Sequence, residues 1–127
     1  KTKAYFKNGK KAGTWIHYFE DGSLESKRSF VNNRMQGEFA DYYGPGKLKE
    51  KGFKKGLLYY GSYENYFENG NLHSKGTFTE DGKRTGPWIF NFENGKVKKK
   101  GTYSNGKKTG KWIEVDENGK KKKVKYE

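Results

Sequence analysis

The chain has 127 residues, a formal net charge of +13, 30% hydrophobic residues and 17% aromatics. So few apolar residues cannot fill a large central core, yet 9 Phe, 10 Tyr and 3 Trp supply the buried area that a disordered chain of this charge would lack, which points to a thin, elongated fold. The absence of cysteine excludes disulfide frameworks and thiolate metal sites, and no run of about 20 apolar residues is present to form a membrane-spanning helix.

Along the chain, turn signals arrive in pairs. The first of each pair lies at Asn8-Gly9, Asn32-Asn33, Lys55-Gly56, Asp81-Gly82 and Asn105-Gly106. The second lies at Asp21-Gly22, Pro45-Gly46, Asn69-Gly70, Asn94-Gly95 and Asn118-Gly119. Asn-Gly and Asp-Gly fit type I′ turns, where both central residues take positive φ. The segments between turns have the length of one strand. They predict strands centred near Ile16, Lys27, Ala40, Glu64, Lys75, Ile89, Lys100 and Ile113, joined as an antiparallel meander.

The turns belong to a repeat. Gly22, Gly46, Gly70, Gly95 and Gly119 are separated by 24, 24, 25 and 24 residues, and Gly13, Gly37, Gly61, Gly86 and Gly110 keep the same intervals. Two residues after each of the latter comes an aromatic: Trp15, Phe39, Tyr63, Trp88 or Trp112. The extra residue falls near Glu80-Asp81. One repeat domain over 1–127 is expected, with units at about 4–27, 28–51, 52–75, 76–100 and 101–127.

Period-two alternation assigns the faces. Trp15, Phe19, Phe39, Tyr43, Phe67, Trp88, Phe92 and Trp112 are expected largely buried on one face, joined by Leu24, Leu48, Leu72, Phe30, Phe78, Val97 and Tyr103. The fold class is therefore all-β: about five 24-residue β-hairpin repeats in an elongated, curled meander of about ten strands, with the aromatics in its trough. The glycine before each aromatic either lets a ring lie over bare backbone or marks a bulge that curls the sheet. Phe53 sits one place off the usual aromatic position, and Asp116 replaces the expected Phe. The run Lys120–Lys123 suits an edge strand that must resist pairing.

The runs Asn8-Gly9-Lys10-Lys11-Ala12-Gly13-Thr14-Trp15 and Asn105-Gly106-Lys107-Lys108-Thr109-Gly110-Lys111-Trp112, with Phe92-Glu93-Asn94-Gly95-Lys96-Val97 and Glu117-Asn118-Gly119-Lys120, resemble the bacterial MORN-variant repeat. The resemblance spans essentially the whole chain, more loosely in the second and third units. It implies an elongated β-hairpin array linked to protein scaffolding and membrane association. The family also includes a group named as antitoxins of toxin–antitoxin pairs, and proteins of the bacterial envelope. It carries no catalytic motif.

The residues point the same way. Only His17 and His73 are present, and no third group orients either one as a catalytic triad requires. Glu93 and Glu117 recur beside turns, where they serve solubility better than acid–base pairing. No phosphate loop, metal site or cofactor motif appears, so neither catalysis nor a small-molecule substrate is expected. Lys27, Lys51, Lys75 and Lys100 share one repeat position, at intervals of about 10 Å if equivalent strands lie two apart. That ladder reads either as a soluble strand face or as an array for phosphates or carboxylates. Tyr18, Tyr42 and Tyr66 lie on the face opposite the aromatic ladder and offer rigid, amphipathic contact area.

The expected partner-binding set is therefore Tyr18, Tyr42, Tyr66, Lys27, Lys51, Lys75 and Lys100. A protein is the leading partner. Anionic lipid or a cell-envelope polymer is the alternative, and nucleic acid held by charge alone the third. The sequence leaves oligomeric state open. Its wealth of Lys, Asn and Tyr resembles proteins of AT-rich bacterial genomes, and it starts at Lys1 rather than Met, so removal of an upstream segment, by processing or by design, is expected. The compartment is left unknown, with the cell envelope or secretion favoured over the cytoplasm.

Overall fold

The computed structural model describes all residues, 1–127. It contains thirteen strands: β1 (Thr2–Lys3), β2 (Phe6–Lys7), β3 (Lys10–Lys11), β4 (Gly13–Tyr18), β5 (Leu24–Val31), β6 (Arg34–Gly44), β7 (Lys47–Lys55), β8 (Leu58–Tyr66), β9 (Leu72–Phe78), β10 (Arg84–Asn91), β11 (Val97–Ser104), β12 (Lys107–Val115) and β13 (Lys121–Tyr126). Eleven of them form one antiparallel sheet in the order β1-β4-β5-β6-β7-β8-β9-β10-β11-β12-β13. Apart from the β2–β3 hairpin, which pairs on its own, every strand bonds to its neighbours in sequence. The sheet is open, and each expected strand centre falls within a strand.

Two turn designs recur. Asn8-Gly9, Asn32-Asn33 and Asn105-Gly106 hold both residues at positive φ, the type I′ pattern. The expectation of type I′ fails for the second set and for Asp81-Gly82 of the first, where only the glycine has positive φ. There the Phe19 N–H donates to the Ser23 carbonyl and the Gly22 N–H to the Phe19 carbonyl, and the same two bonds recur at Phe67/Asn71 and Phe92/Lys96. Asp21, Asn69 and Asn94 each use Oδ1 to accept a backbone N–H two residues on. That bond supports the turn without forcing the residue itself left-handed. Asp116, standing where a Phe was expected, does similar work: its Oδ1 accepts the N–H groups of Asn118 and Lys120.

The two recurring glycine sets have separate duties. Gly13, Gly37, Gly61, Gly86 and Gly110 all have positive φ. Gly37, Gly61, Gly86 and Gly110 sit at register breaks between β5 and β6, β7 and β8, β9 and β10, and β11 and β12. They are bulge glycines. The bare backbone beneath the rings comes from other positions. Gly76 and Gly101 lie under Trp88 and Trp112, where an added Cβ would fall 2.0 Å and 2.2 Å from indole carbons.

The aromatic face forms the core, and it is thin. Phe39, Trp88, Tyr103 and Trp112 are its buried members. Tyr103 meets Trp88 and Trp112 edge-on, at 6.2 Å and 5.0 Å. Each tryptophan also anchors its indole N–H on a carbonyl of an earlier segment: Trp15 on Tyr5, Trp88 on Thr77 and Trp112 on Thr102. Against expectation, Trp15, Phe19, Tyr43, Phe67 and Phe92 are only half-buried, because a single sheet has no second layer to cover its ends.

A second correction concerns the aliphatic residues. Leu24, Leu48, Leu72 and Val97 pair with Tyr18, Tyr42, Tyr66 and Asn91, just past a register shift in each hairpin. Paired residues share a face, so these side chains lie opposite the aromatic ladder. One extra residue in each strand, at Glu25, Lys49, His73 or Lys98, flips the alternation.

Candidate functional site, a lysine row across the sheet

Between the two sets of register breaks, one row of residues crosses the sheet without interruption. It reads Lys3, Ile16, Lys27, Ala40, Lys51, Glu64, Lys75, Ile89, Lys100, Ile113, Lys123, each paired directly with the next. The 24-residue period places a lysine on every second strand, so the ammonium groups recur at about 10 Å. The four lysines singled out from sequence are thus one row. Lys3 and Lys123 extend it at either end; Lys3 stands one 24-residue period before Lys27, and Lys123 joins through the register of the last strand.

An open groove of about 1210 Å³ lies over this row. Lys27, Lys51, Glu64, Lys75, Ile89 and Lys100 are among its lining. The trough expected on the aromatic face therefore lies on the opposite one. Of the ladder rings, Phe39, Tyr63 and Trp88 also reach its lining, beside Gly52, Gly76 and Gly101. Leu24 and Tyr42 close one side, while Ser62, Thr77 and Thr102 lie along the other.

Glu64 is the one acidic member of the row. Its carboxylate sits 3.3 Å from Lys51 Nζ and 3.9 Å from Lys75 Nζ, and its side chain is 16% exposed. Lys27, Lys100, Lys3 and Lys123 make no ion pair. The row therefore presents cations at both ends around a centre where one carboxylate offsets one of two positive charges. Tyr66 lies next to Glu64, and burial, with that carboxylate's charge and hydrogen bond, pushes its phenol above the usual range.

Tyr18, Tyr42 and Tyr66 share the groove face, half-buried beside their leucine partners. The fourth unit has Asn91 in this place and the fifth Val115. Phe53, displaced by one in sequence, also faces the groove and packs on Tyr60 at 5.6 Å.

The aromatic face holds cations too, but they are committed to rings. Lys11 lies over Trp15, Arg84 over Trp88 and Lys108 over Trp112, at 4.8, 5.1 and 4.9 Å. Lys54, in the place where other units carry Phe or Tyr, stands 5.1 Å over Phe39. Lys11, Arg84 and Lys108 hold one repeat position, three units and then one unit apart. Glu114 accepts from Tyr126 and Lys108, which hold its carboxyl below the usual range.

The two histidines lie in separate surroundings. His17 Nδ1 bonds the Thr2 hydroxyl at 2.8 Å, and His73 packs on Phe67 at 4.6 Å. No three His, Asp or Glu side chains gather as a metal ion would require.

The profile of the MORN repeat variant matches residues 11–32, 59–80 and 84–105, together just over half the chain. The chain belongs to the MORN repeat variant family. Each matched MORN segment carries one groove lysine, Lys27, Lys75 or Lys100, and the aromatic two residues after its bulge glycine, Trp15, Tyr63 or Trp88. The stretch between the first two matches carries Phe39 in place of Trp and the atypical Pro45-Gly46 turn. No curated protein matches the chain. MORN repeats serve as modules that bind proteins or membranes.

Proposed function

We propose that this chain is a non-enzymatic docking scaffold that holds an acidic segment of a partner protein in the groove over the lysine row. The observation that carries this reading is the unbroken row itself, with Lys27 and Lys100 unpaired in a groove that Ala40, Ile89 and Ile113 also line, and with Lys3 and Lys123 continuing the row beyond it. Salt-free cations over apolar surface suit a ligand that brings both carboxylates and contact area. Tyr18, Tyr42 and Tyr66 supply the amphipathic rim at one side. The resemblance to the antitoxin group makes a toxin one candidate for this partner.

Attachment to an anionic membrane or envelope polymer is the second reading, favoured by family membership and by the exposure of Lys51, Lys75 and Lys100. A groove favours a chain over a flat bilayer, since a planar surface meets the rims before it meets the floor. Nucleic acid held by charge alone is the weakest of the three, because it would not use the tyrosines.

The test compares polyglutamate with vesicles containing phosphatidylserine at rising salt. On the docking reading, polyglutamate binding persists at physiological ionic strength. It weakens in the Lys27→Ser/Lys75→Ser/Lys100→Ser variant and in the Tyr18→Ser/Tyr42→Ser/Tyr66→Ser variant, both checked for intact fold by circular dichroism. Vesicle binding that exceeds polyglutamate binding and ignores the tyrosines supports the membrane reading instead.

A further inference from the structure

Resting on the groove as the binding face, we infer that its occupant is an acidic segment in polyproline II conformation, with a carboxylate at every third residue, lying across the strands along the row. Glu64 shows how the row holds a carboxylate. It sits between two lysines on flanking strands, bonded to neither alone, at 3.3 Å from Lys51 and 3.9 Å from Lys75. The equivalent places elsewhere carry Ala40 between Lys27 and Lys51, Ile89 between Lys75 and Lys100, and Ile113 between Lys100 and Lys123. Each is a lysine pair of the same geometry around an apolar residue.

These places recur on every second strand, at about 9.6 Å. A polyproline II chain has three residues per turn and rises about 3.1 Å per residue, so every third side chain returns to one face after about 9.3 Å. A β-strand does not match: its same-face side chains recur at about 6.7 Å, every second residue. Polyproline II also leaves its backbone solvated, which suits a sheet face that offers no unpaired strand edge. Ile89, Ile113 and Phe53 give apolar surface to the intervening residues.

The experiment measures anisotropy of two labelled peptides on the full chain, one a Glu-Pro-Pro repeat and one of the same composition shuffled. The repeat is expected to bind about tenfold more tightly than the shuffled peptide. Glu64→Gln is expected to tighten repeat binding several-fold, since it frees Lys51 and Lys75. Ala40→Glu is expected to weaken it several-fold, since it fills a second place from within. Equal binding of the two peptides overturns the inference, as does indifference to Ala40→Glu in a folded variant. If that happens while polyglutamate binding still depends on Lys27, Lys75 and Lys100, the register inference fails and the docking face stands. If polyglutamate does not bind at all, both fail.

Discussion

Gly76 lies flat beneath the indole of Trp88, so close that a Cβ on Gly76 would stand 2.0 Å from Trp88 Cδ2. Trp88 is 3% exposed and meets Phe78 edge-on at 5.0 Å. In a fold one sheet thick, this is how a large ring becomes buried: it presses onto a strand from which the side chain has been removed. Gly76→Ala therefore expels the ring. The expected loss is about 3 kcal/mol, at the upper end for overpacking, read by urea denaturation. Trp88→Ala should cost about 3–5 kcal/mol. Because both substitutions damage the same contact, the double variant should cost clearly less than their sum. Simple additivity would mean the two residues do not meet.

Gly86 separates strain from space. Its φ is +70° and nothing lies within 4 Å of an added Cβ. Gly86→Ala should cost only roughly 1–2 kcal/mol, from the left-handed backbone. Gly86→Asn should recover part of that, because asparagine tolerates this region. At Gly76, asparagine should be no better than alanine. Equal behaviour of Asn at the two sites would contradict the division into bulge and under-ring glycines.

Stability at high pH should depend on Glu50. Its carboxylate accepts hydrogen bonds from both Tyr59 and Tyr63. Burial first, then the Glu50 charge and hydrogen bond, push Tyr59 from 10.0 up to about 12. Tyr63 is raised as well, by burial and then by its own hydrogen bond to the same carboxylate. A folded-state pKa above the unfolded one means the folded state holds its proton more tightly. The stabilisation is complete below pH 10, and it is lost as pH rises through the folded values near 12 and above. Alkaline unfolding followed by tyrosinate absorbance should show this fall. Glu50→Gln should lower both phenol pKa values and flatten it.

Much of this fold was legible in sequence because the repeat is local. Glycine spacing gave the turns, and aromatic spacing placed Trp15, Phe39, Tyr63, Trp88 and Trp112 on one face. The face of Leu24, Leu48, Leu72 and Val97 was not legible. One unpaired residue per hairpin reverses period-two counting, and nothing in the composition of Glu25, Lys49, His73 or Lys98 marks it as that residue. The candidate site was half legible. The period aligned Lys27, Lys51, Lys75 and Lys100, and Lys3 one interval earlier, but Glu64 and Lys123 join the row only through strand register, a long-range property. The groove changed sides for the same reason: alternation sorts residues into two faces without saying which face is open.

The central claim is that binding takes place on the lysine face and not over the rings, and the sequence supplies a reporter for each. All three isoleucines, Ile16, Ile89 and Ile113, belong to the lysine row, whereas all three tryptophans, Trp15, Trp88 and Trp112, belong to the aromatic face. The deciding measurement is an NMR titration with polyglutamate at physiological salt, reading the isoleucine δ1 methyls and the indole N–H groups together. The isoleucine methyls should shift in step with saturation while the indole signals stay in place. Indole shifts with stationary isoleucines would put the ligand over Lys11, Arg84 and Lys108 and contradict the assignment of the binding face.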